Sequence, residues 1–581
     1  MGSTARARII EQEQASVDRA HRCLERQRAQ TERLAESNAA ASAKDGVAQH
    51  AEFTRWAEQY RLDGRQLVVQ RVDLSEKGEA ETFYIGRKTV RDENGDVFVV
   101  KWTNPAAVRW RRERGSDQGV VTLRRRLRCR GERVVDYHDE LVRDVGGAAD
   151  GRPSPARVAA IVKARREQES GMPEDPFLHE ELDRSRDGLM RDIVETIHRD
   201  QLDLVCHDRP GALVVQGGPG TGKTAIGLHR VTWLLDNDHF TPQHMLVVGP
   251  TKHFLDYVSE VLPSLGTRGV TSLRVDDLCP GRIGDHDTPE QDRIKSDIRM
   301  AQVLRRAVHD TVNEGAWAKF LDQGRLVVRI DGDTLAADTS QIQRFFEQAR
   351  DLDEPLDVRR ERFTDLLADH MIDQLPYRPR GQGRALRQRI TASLAGPVNA
   401  TWPKISESRL YRRLLDDTEL LARVSEGVLS DRERSALHRP AVGPASQESW
   451  TRADLPCLEE LRILLSGQTP DRYRHIVVDE AQNLTPMQLR ALARRCPNGS
   501  FTLLGDLAQS TGTHRYPDWS ALTEHLDLPN GWEQQELTLG YRIPSQVMHT
   551  AVPAAVAASD LTTFPTTLRA PRDGEVTMTR V

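Results

Sequence analysis

The stretch Gly217-Gly218-Pro219-Gly220-Thr221-Gly222-Lys223-Thr224 spaces its glycines, lysine and hydroxyl as a phosphate-binding loop does, G-x-x-x-x-G-K-T. Glycines let backbone N–H groups close around phosphate oxygens, and the N-terminus of a following helix adds a favourable field for an anion. In such a loop Lys223 reaches the β- and γ-phosphates of a nucleotide, and Thr224 puts its hydroxyl on Mg²⁺. The chemistry needs a strand before the loop and a helix after it. The apolar run Ala212–Val215 supplies the strand, and Ala225–Leu235 reads as the helix.

A second set of chemical groups lies far downstream. His475-Ile476-Val477-Val478 is an apolar run that ends in Asp479-Glu480-Ala481-Gln482. Parallel strands deliver side chains at their carboxyl ends, where open α/β sheets bind nucleotides. There Asp479 would hold Mg²⁺ through water, and Glu480 would orient and deprotonate the attacking water. Asn483 is placed to cap the helix Pro486–Arg495. Phe501–Leu504 reads as another buried strand and ends in Gly505-Asp506-Leu507-Ala508-Gln509-Ser510. Met245–Gly249 is a further buried strand, followed by Pro250-Thr251 and a helix through Val261. These strands and loops define an α/β P-loop NTPase that takes ATP and Mg²⁺ as cofactors.

The elements that must position these groups are spread widely. Lys223 and Asp479 are 256 positions apart (479 − 223), more than one sheet needs, so a large, mostly helical insertion over 280–454 is expected inside the NTPase domain. Gly/Pro-containing segments near 376–403 and 439–446 should break it, and the basic stretch Tyr377–Arg384 reads as an exposed loop. The domain therefore divides into a first part over 177–279 and a second over 455–535, with the chain entering a further domain at 536–581.

Upstream, residues 5 to 60 have helix composition. Ile10, Val17, Leu24 and Leu34 form a thin stripe, the pattern breaks near Ala43–Gly46, and Phe53, Trp56, Ala57 and Tyr60 form a second stripe. The expectation is an antiparallel helical hairpin over 1–62, either packed on the body or extended as an arm. Residues 63–147 turn to Val, Tyr, Phe and Thr and read as a small antiparallel β domain. Thr82–Val90 and Val97–Trp102 flank Asp92-Glu93-Asn94-Gly95, a type I′ hairpin signal. Eleven Lys/Arg against three Asp/Glu between Lys101 and Arg133 suggest either a phosphate-binding surface or a solvated strand face. Residues 148–176 read as a linker.

Composition narrows the class. No apolar run reaches the ~20 residues of a membrane span, and the N-terminus lacks the apolar core of a signal peptide. The six cysteines contain no C-x-x-C pair, which excludes a zinc ribbon and fits reduced thiols of a cytoplasmic protein. A net charge of −5 means that any contact with DNA or RNA must come from a local patch.

Taken in order, GGPGTGKT, VVGPT, VVDEAQ, GDLAQS and LGYRIP resemble the motifs of superfamily 1 helicases of the UvrD type, which implies a RecA-like fold. The resemblance covers about 190–280 and 455–550. It implies that Gln201 reads adenine, Tyr541 stacks on it, Arg542 reaches the γ-phosphate, and Asp506 with Gln509 couples that phosphate to domain movement. Asn483 stands where the family has Asp. About 210 residues precede the loop, and with Tyr84-Ile85-Gly86-Arg87, Trp402-Pro403 and Trp450 the chain is more similar to the HelD family, including its HelR branch. That resemblance implies a monomeric motor on the core of bacterial RNA polymerase, with the hairpin in the secondary channel and the insertion in the primary one. Nucleic acid, or a bound rifamycin, is displaced as ATP turns over. Lys101-Trp102-Thr103-Asn104-Pro105 departs from the family's Asp-Trp-Arg-Ala-Pro. A UvrD-type DNA helicase and a non-hydrolysing polymerase-binding factor are the alternatives. The sequence stops soon after Arg542, so the later motifs have no counterpart, and little turnover is expected from this chain in isolation.

Overall fold

The computed structural model describes residues 2–39, 60–76 without 63, 79–113, 119–142, 199–375, 383–441 and 448–544, the strand at 566–569 and a few isolated positions. The expected linker, the stretch 177–198, most of the second hairpin helix and the basic residues 377–382 lie outside the described residues.

Helix α1 (Gly2–Ala39) runs 38 residues without an internal proline or glycine. It does not stand alone. Val17, Ala20, Cys23 and Leu24 are buried against a six-stranded sheet whose facing residues include Leu67, Val68, Tyr84 and Val99. At the centre of that contact Glu13 is fully buried and accepts from Arg71 (3.0 Å), Arg125 (2.8 Å) and the Tyr84 hydroxyl (3.0 Å). Burial pushes the Tyr84 phenol up to about 12.

That sheet consists of β1 (Val68–Glu76), β2 (Glu79–Gly86), β3 (Val90–Arg91), β4 (Val97–Lys101), β5 (Val121–Arg130) and β6 (Arg133–Leu141), in the order β3-β4-β2-β1-β5-β6. It is mixed, because β2 pairs with β4 in parallel. The expected hairpin is rearranged accordingly. β2 pairs with β1, and only the short β3 turns back onto β4. The turn is not type I′: Gly95 alone has positive φ (90°), and the Asp92 carboxylate accepts from the N–H groups of Asn94 and Asp96. The basic run is divided: Arg124 and Arg125 are buried, while Arg109, Arg112, Arg130 and Arg133 are exposed. Arg124 donates to the carbonyls of Trp110, Arg111 and Glu113, and Arg125 to Glu13 and Asp139. These two therefore belong neither to a phosphate-binding surface nor to a solvated face. Helix α2 (Pro105–Arg112), with Asn104 as N-cap and Pro105 at its first position, covers the other side of the sheet.

The central sheet is all parallel. It contains β7 (Ala212–Gly217), β8 (Met245–Gly249), β9 (Thr271–Arg274), β13 (His475–Val478), β14 (Phe501–Gly505) and β15 (Trp532–Leu537), in the order β15-β7-β14-β13-β8-β9. Helix α3 (Arg199–Val205) precedes β7, α4 (Lys223–Asp236) follows the glycine loop, and α5 (Lys252–Ser264) follows β8 with Thr251 as N-cap. Strand periodicity splits the sheet into two apolar faces. Leu213, Val215, Met245, Val247 and Val477 share a core with α4, α5 and the N-terminal sheet, including Trp102. Ala212, Val214, Leu246, Val248, Ile476 and Leu503 face the insertion.

The insertion is mostly helical, but it also holds a three-stranded antiparallel sheet, β10 (Leu321–Asp322), β11 (Arg325–Ile330) and β12 (Asp333–Asp338). The break expected near 376–403 is partly filled, since helices cover Gly383–Ser393 and Ala395–Thr401. Buried ions staple the insertion to helix α6 (Asp454–Ser466), which leads into β13. Asp454 accepts from Lys295 (2.8 Å), Arg439 (2.9 Å) and the Tyr411 hydroxyl (2.9 Å). Although burial works against it, the two cations hold the Asp454 carboxyl below its usual value.

Helix α7 (Pro486–Arg495) lies between β13 and β14, and after β15 the chain forms β16 (Leu539–Pro544), paired in parallel with β17 (Thr566–Arg569).

Candidate functional site

The carboxyl ends of β7, β13 and β14 gather the chemical groups. At the end of β7 the chain turns tightly, with Gly220 (φ 74°) and Gly222 (φ 89°) in the left-handed region. A Cβ on Gly217 would meet Thr221 Oγ1 at 2.6 Å, so the loop can close only around glycine there. Thr221 Oγ1 donates to the Gly218 carbonyl at 2.8 Å. The Lys223 ammonium is buried and donates to the carbonyls of Gly217 (2.6 Å) and Gly218 (3.3 Å). Among the described residues no carboxylate lies within ion-pair range of it. A buried cation with only carbonyl partners, in a cradle of backbone amides, fits an anion such as a phosphate chain.

Opposite the loop, Thr224 Oγ1 donates to Asp479 Oδ2 at 2.7 Å. Asp479 is 4% exposed, and its carboxyl is raised to about 6. Burial is the main cause and the neighbouring Glu480 adds to it, against the Thr224 hydrogen bond. A desolvated acid beside a second acid and a hydroxyl suits a divalent cation, and Thr224 and Asp479 are the residues that would hold it. Glu480 itself occupies the left-handed region (φ 54°, ψ 40°), a conformation that costs a non-glycine residue about 1–2 kcal/mol. Such strain marks sites whose surroundings impose the geometry.

Those surroundings form a continuous polar chain. Gln482 Nε2 donates to Glu480 Oε2 at 2.6 Å, and its Oε1 accepts from the Asp506 N–H at 3.1 Å. The Asp506 carboxylate accepts from Gln216 Nε2 (2.9 Å) and Gln509 Nε2 (2.5 Å). Gln216 Oε1 in turn accepts from Trp519 Nε1 at 2.9 Å. Glu480 and Gln509, on separate strand ends, are thus joined through Gln482 and Asp506.

The structure brings Gln201, Gly217 to Thr224, Asp479, Glu480 and Gln509 to one end of the sheet. Gln201 Nε2 donates to the Thr221 carbonyl at 3.3 Å. Tyr541 and Arg542 lie on β16, directly after β15, and their side chains fall outside the described residues. Sequence reading missed Gln216, Gln482 and Trp519 as parts of the site. Gln482 stood in the DEAQ quartet and Gln216 was the polar residue of an otherwise apolar strand, so both carried a signal; Trp519 carried none. One expectation is corrected: Asn483 does not cap α7. Thr485 does, in a capping box with Gln488, and Asn483 Oδ1 accepts from the N–H groups of Thr511 (2.8 Å) and Gly512 (3.2 Å). Proline at position 486 fixes the helix start two residues after Leu484, out of reach of Asn483.

Among the described residues no helix is long and apolar enough to cross a membrane. No curated protein matches the chain. Two family models do. Residues 10–152 match the N-terminal domain of DNA helicase IV HelD, which spans α1 and the mixed sheet. Residues 197–524, more than half of the chain, match the UvrD/REP helicase N-terminal domain and take in the glycine loop, the paired acids and the polar chain behind them. The chain therefore belongs to the UvrD/REP helicases of superfamily 1, and within them to the HelD type.

Proposed function

We propose that this chain is an ATP-driven motor that binds the core of bacterial RNA polymerase and removes nucleic acid from it, so that the polymerase is recycled. The observation that carries the reading is the union of two parts in one fold. A HelD-type N-terminal domain sits directly against the helix that follows the phosphate loop. Trp102 is buried against His229 of α4, with ring centroids 5.4 Å apart. Lys101 pairs with Asp236 at 2.6 Å, Thr103 Oγ1 donates to the same carboxylate at 2.7 Å, and Asn237 Nδ2 donates to the Thr103 carbonyl at 3.1 Å. The segment that departs from its family's pattern is therefore a clamp between the two parts. Such an attachment supports a relay of events on a polymerase surface to the nucleotide.

In this reading the amides of Gly217 to Thr224 and the Lys223 ammonium hold the phosphates of ATP. Thr224 and Asp479 hold Mg²⁺, which neutralises charge on the transferring phosphoryl group when bound. Glu480 takes the proton of the attacking water. Gln482 and Asp506 fix Glu480 relative to Gln509, which senses the γ-phosphate. Gln201 reads adenine, Tyr541 stacks on it, and Arg542 supplies the second cation at the γ-phosphate.

The test is gel filtration of the full chain with purified core polymerase, followed by ATP turnover by the complex. Co-elution and faster phosphate release than from the chain alone are expected. No co-elution, with turnover stimulated by single-stranded DNA alone, would replace the reading with a DNA translocase.

A further inference from the structure

We propose that Arg230 is a positioning residue for nucleobase choice: it fixes α3, and with it Gln201, against the phosphate loop. The proposal rests on the nucleotide-site reading above. Arg230 lies two turns beyond Lys223 on α4 and is 3% exposed. Its NH1 group donates to the carbonyls of Leu204 (3.2 Å) and Val205 (3.3 Å), at the C-terminal end of α3, and to that of His207 just beyond it. Its Nε donates to Thr502 Oγ1 on β14 at 3.0 Å. Among the described residues no carboxylate lies within ion-pair range of the guanidinium. Burial pushes its pKa down to about 10, so it stays charged at neutral pH.

A buried charge without a directly paired carboxylate is an expensive way to fill space. An apolar side chain would pack there at lower cost, so the guanidinium's use is geometric. The negative pole of a helix C-terminus is a suitable partner for a cation, and the planar fork reaches several carbonyls at once, which an ammonium cannot. The described part of α3, Arg199–Val205, is also tied through its side chains. Leu202 and Val205 are buried in the shared core, and Asp203 pairs with Arg112. Gln201 stands one turn before the carbonyls that Arg230 grips. Its Nε2 lies 3.2 Å from where a Cβ on Gly222 would stand, besides the contact with Thr221. Helix α4 thus meets α3 twice, through Arg230 along its length and through the loop at its start. The distance between those two contacts sets where Gln201 can present its amide.

The experiment uses the full chain and three probes: ATP, GTP and inorganic tripolyphosphate, each competing with a fluorescent ATP analogue. The variants are Arg230→Met, Arg230→Lys and Gln201→Ala. Loss of one well-placed amide contact changes affinity about tenfold. ATP binding should fall about that much in Arg230→Met, with GTP and tripolyphosphate within about twofold of wild type. Gln201→Ala should reproduce this collapse of preference, and the double variant with Arg230→Lys should lose no more than the single ones. An equal loss for all three probes would make Arg230 a scaffold residue only and overturn the proposal. So would a wild-type chain that binds ATP and GTP equally. A wild-type chain that binds none of the three would sink the nucleotide-site reading itself.

Discussion

Replacing Gln482 tests the polar chain behind the paired acids. Gln482 is fully buried and makes two contacts of opposite sense, donating to Glu480 at 2.6 Å and accepting from the Asp506 N–H at 3.1 Å. Gln482→Leu keeps the volume and removes both. The Asp506 N–H then has no acceptor, which costs about 1–3 kcal/mol of stability. Glu480 loses a hydrogen bond to its charged oxygen, worth about 1.5–3 kcal/mol. If that bond aims the carboxylate at the attacking water, turnover falls by about 10- to 100-fold. Gln482→Glu separates the two roles. It preserves the acceptor for Asp506 but sets a carboxylate 2.6 Å from Glu480. At an effective dielectric of about 20 the repulsion would be about 6 kcal/mol, so the two acids share one proton; a Glu480 carboxyl that holds part of it is a poorer base, and the isosteric acid should be the more damaging variant. The assay is steady-state phosphate release against ATP concentration, with thermal unfolding measured alongside. The expected order of kcat is wild type, then leucine, then glutamate, with KM for ATP changed little, because Gln482 makes no hydrogen bond to the phosphate loop. A glutamate variant that turns over faster than the leucine variant would refute the reasoning and leave Gln482 a packing residue.

Other expectations follow from buried groups elsewhere. Asp454→Asn uncouples Lys295 and Arg439, and such breaks typically cost 3–5 kcal/mol; Lys295 keeps Asp287 at 2.5 Å, so about 3 kcal/mol is expected from urea unfolding. Burial, helped by the nearby Arg230, holds His475 well below its usual value. The unfolded chain therefore takes up a proton that the folded chain refuses. Stability is full above about pH 6.5 and falls by about 1.4 kcal/mol per pH unit below it, until the folded value is reached. His475→Gln should flatten the pH dependence of urea midpoints by one proton. Glu13→Ala leaves Arg71 and Arg125 without their shared partner on α1, and amide exchange in α1 should rise well above that of β1. Lys223→Met should abolish measurable ATP binding while leaving the urea midpoint near that of wild type, which equilibrium titration would show.

How plainly the sequence shows each element follows from how its residues are buried. Strands β7, β8, β13 and β14 lie inside a parallel sheet and are covered on both faces, so they appear as unbroken apolar runs. Strands at the sheet edges do not. β15 reads Trp-Glu-Gln-Gln-Glu-Leu, and its place beside β7 comes from backbone pairing that leaves no apolar signature. In the insertion, Leu326, Val328 and Ile330 alternate as a strand should, between turns at Gly324 and Gly332, yet the surrounding helix composition masked them. The charge of Arg124 and Arg125 was plain but their burial was not, because Glu13 lies 112 positions before Arg125. The same holds at the site. The ends of strands were legible; the contact of Trp519 with Gln216 spans 303 positions and depends on the finished fold.

The two apolar faces of the central sheet have a mechanical meaning. One packs against the insertion and the other against the N-terminal domain. A push on either is delivered to the strands that carry the loop and the paired acids, much as load on a beam reaches its supports. The chain leaves this stiff body at Leu537 and enters a different sheet at Leu539. Thr538 alone joins them, next to the strand that carries the phosphate loop. A stroke that separates the two sheets would be concentrated at that single residue.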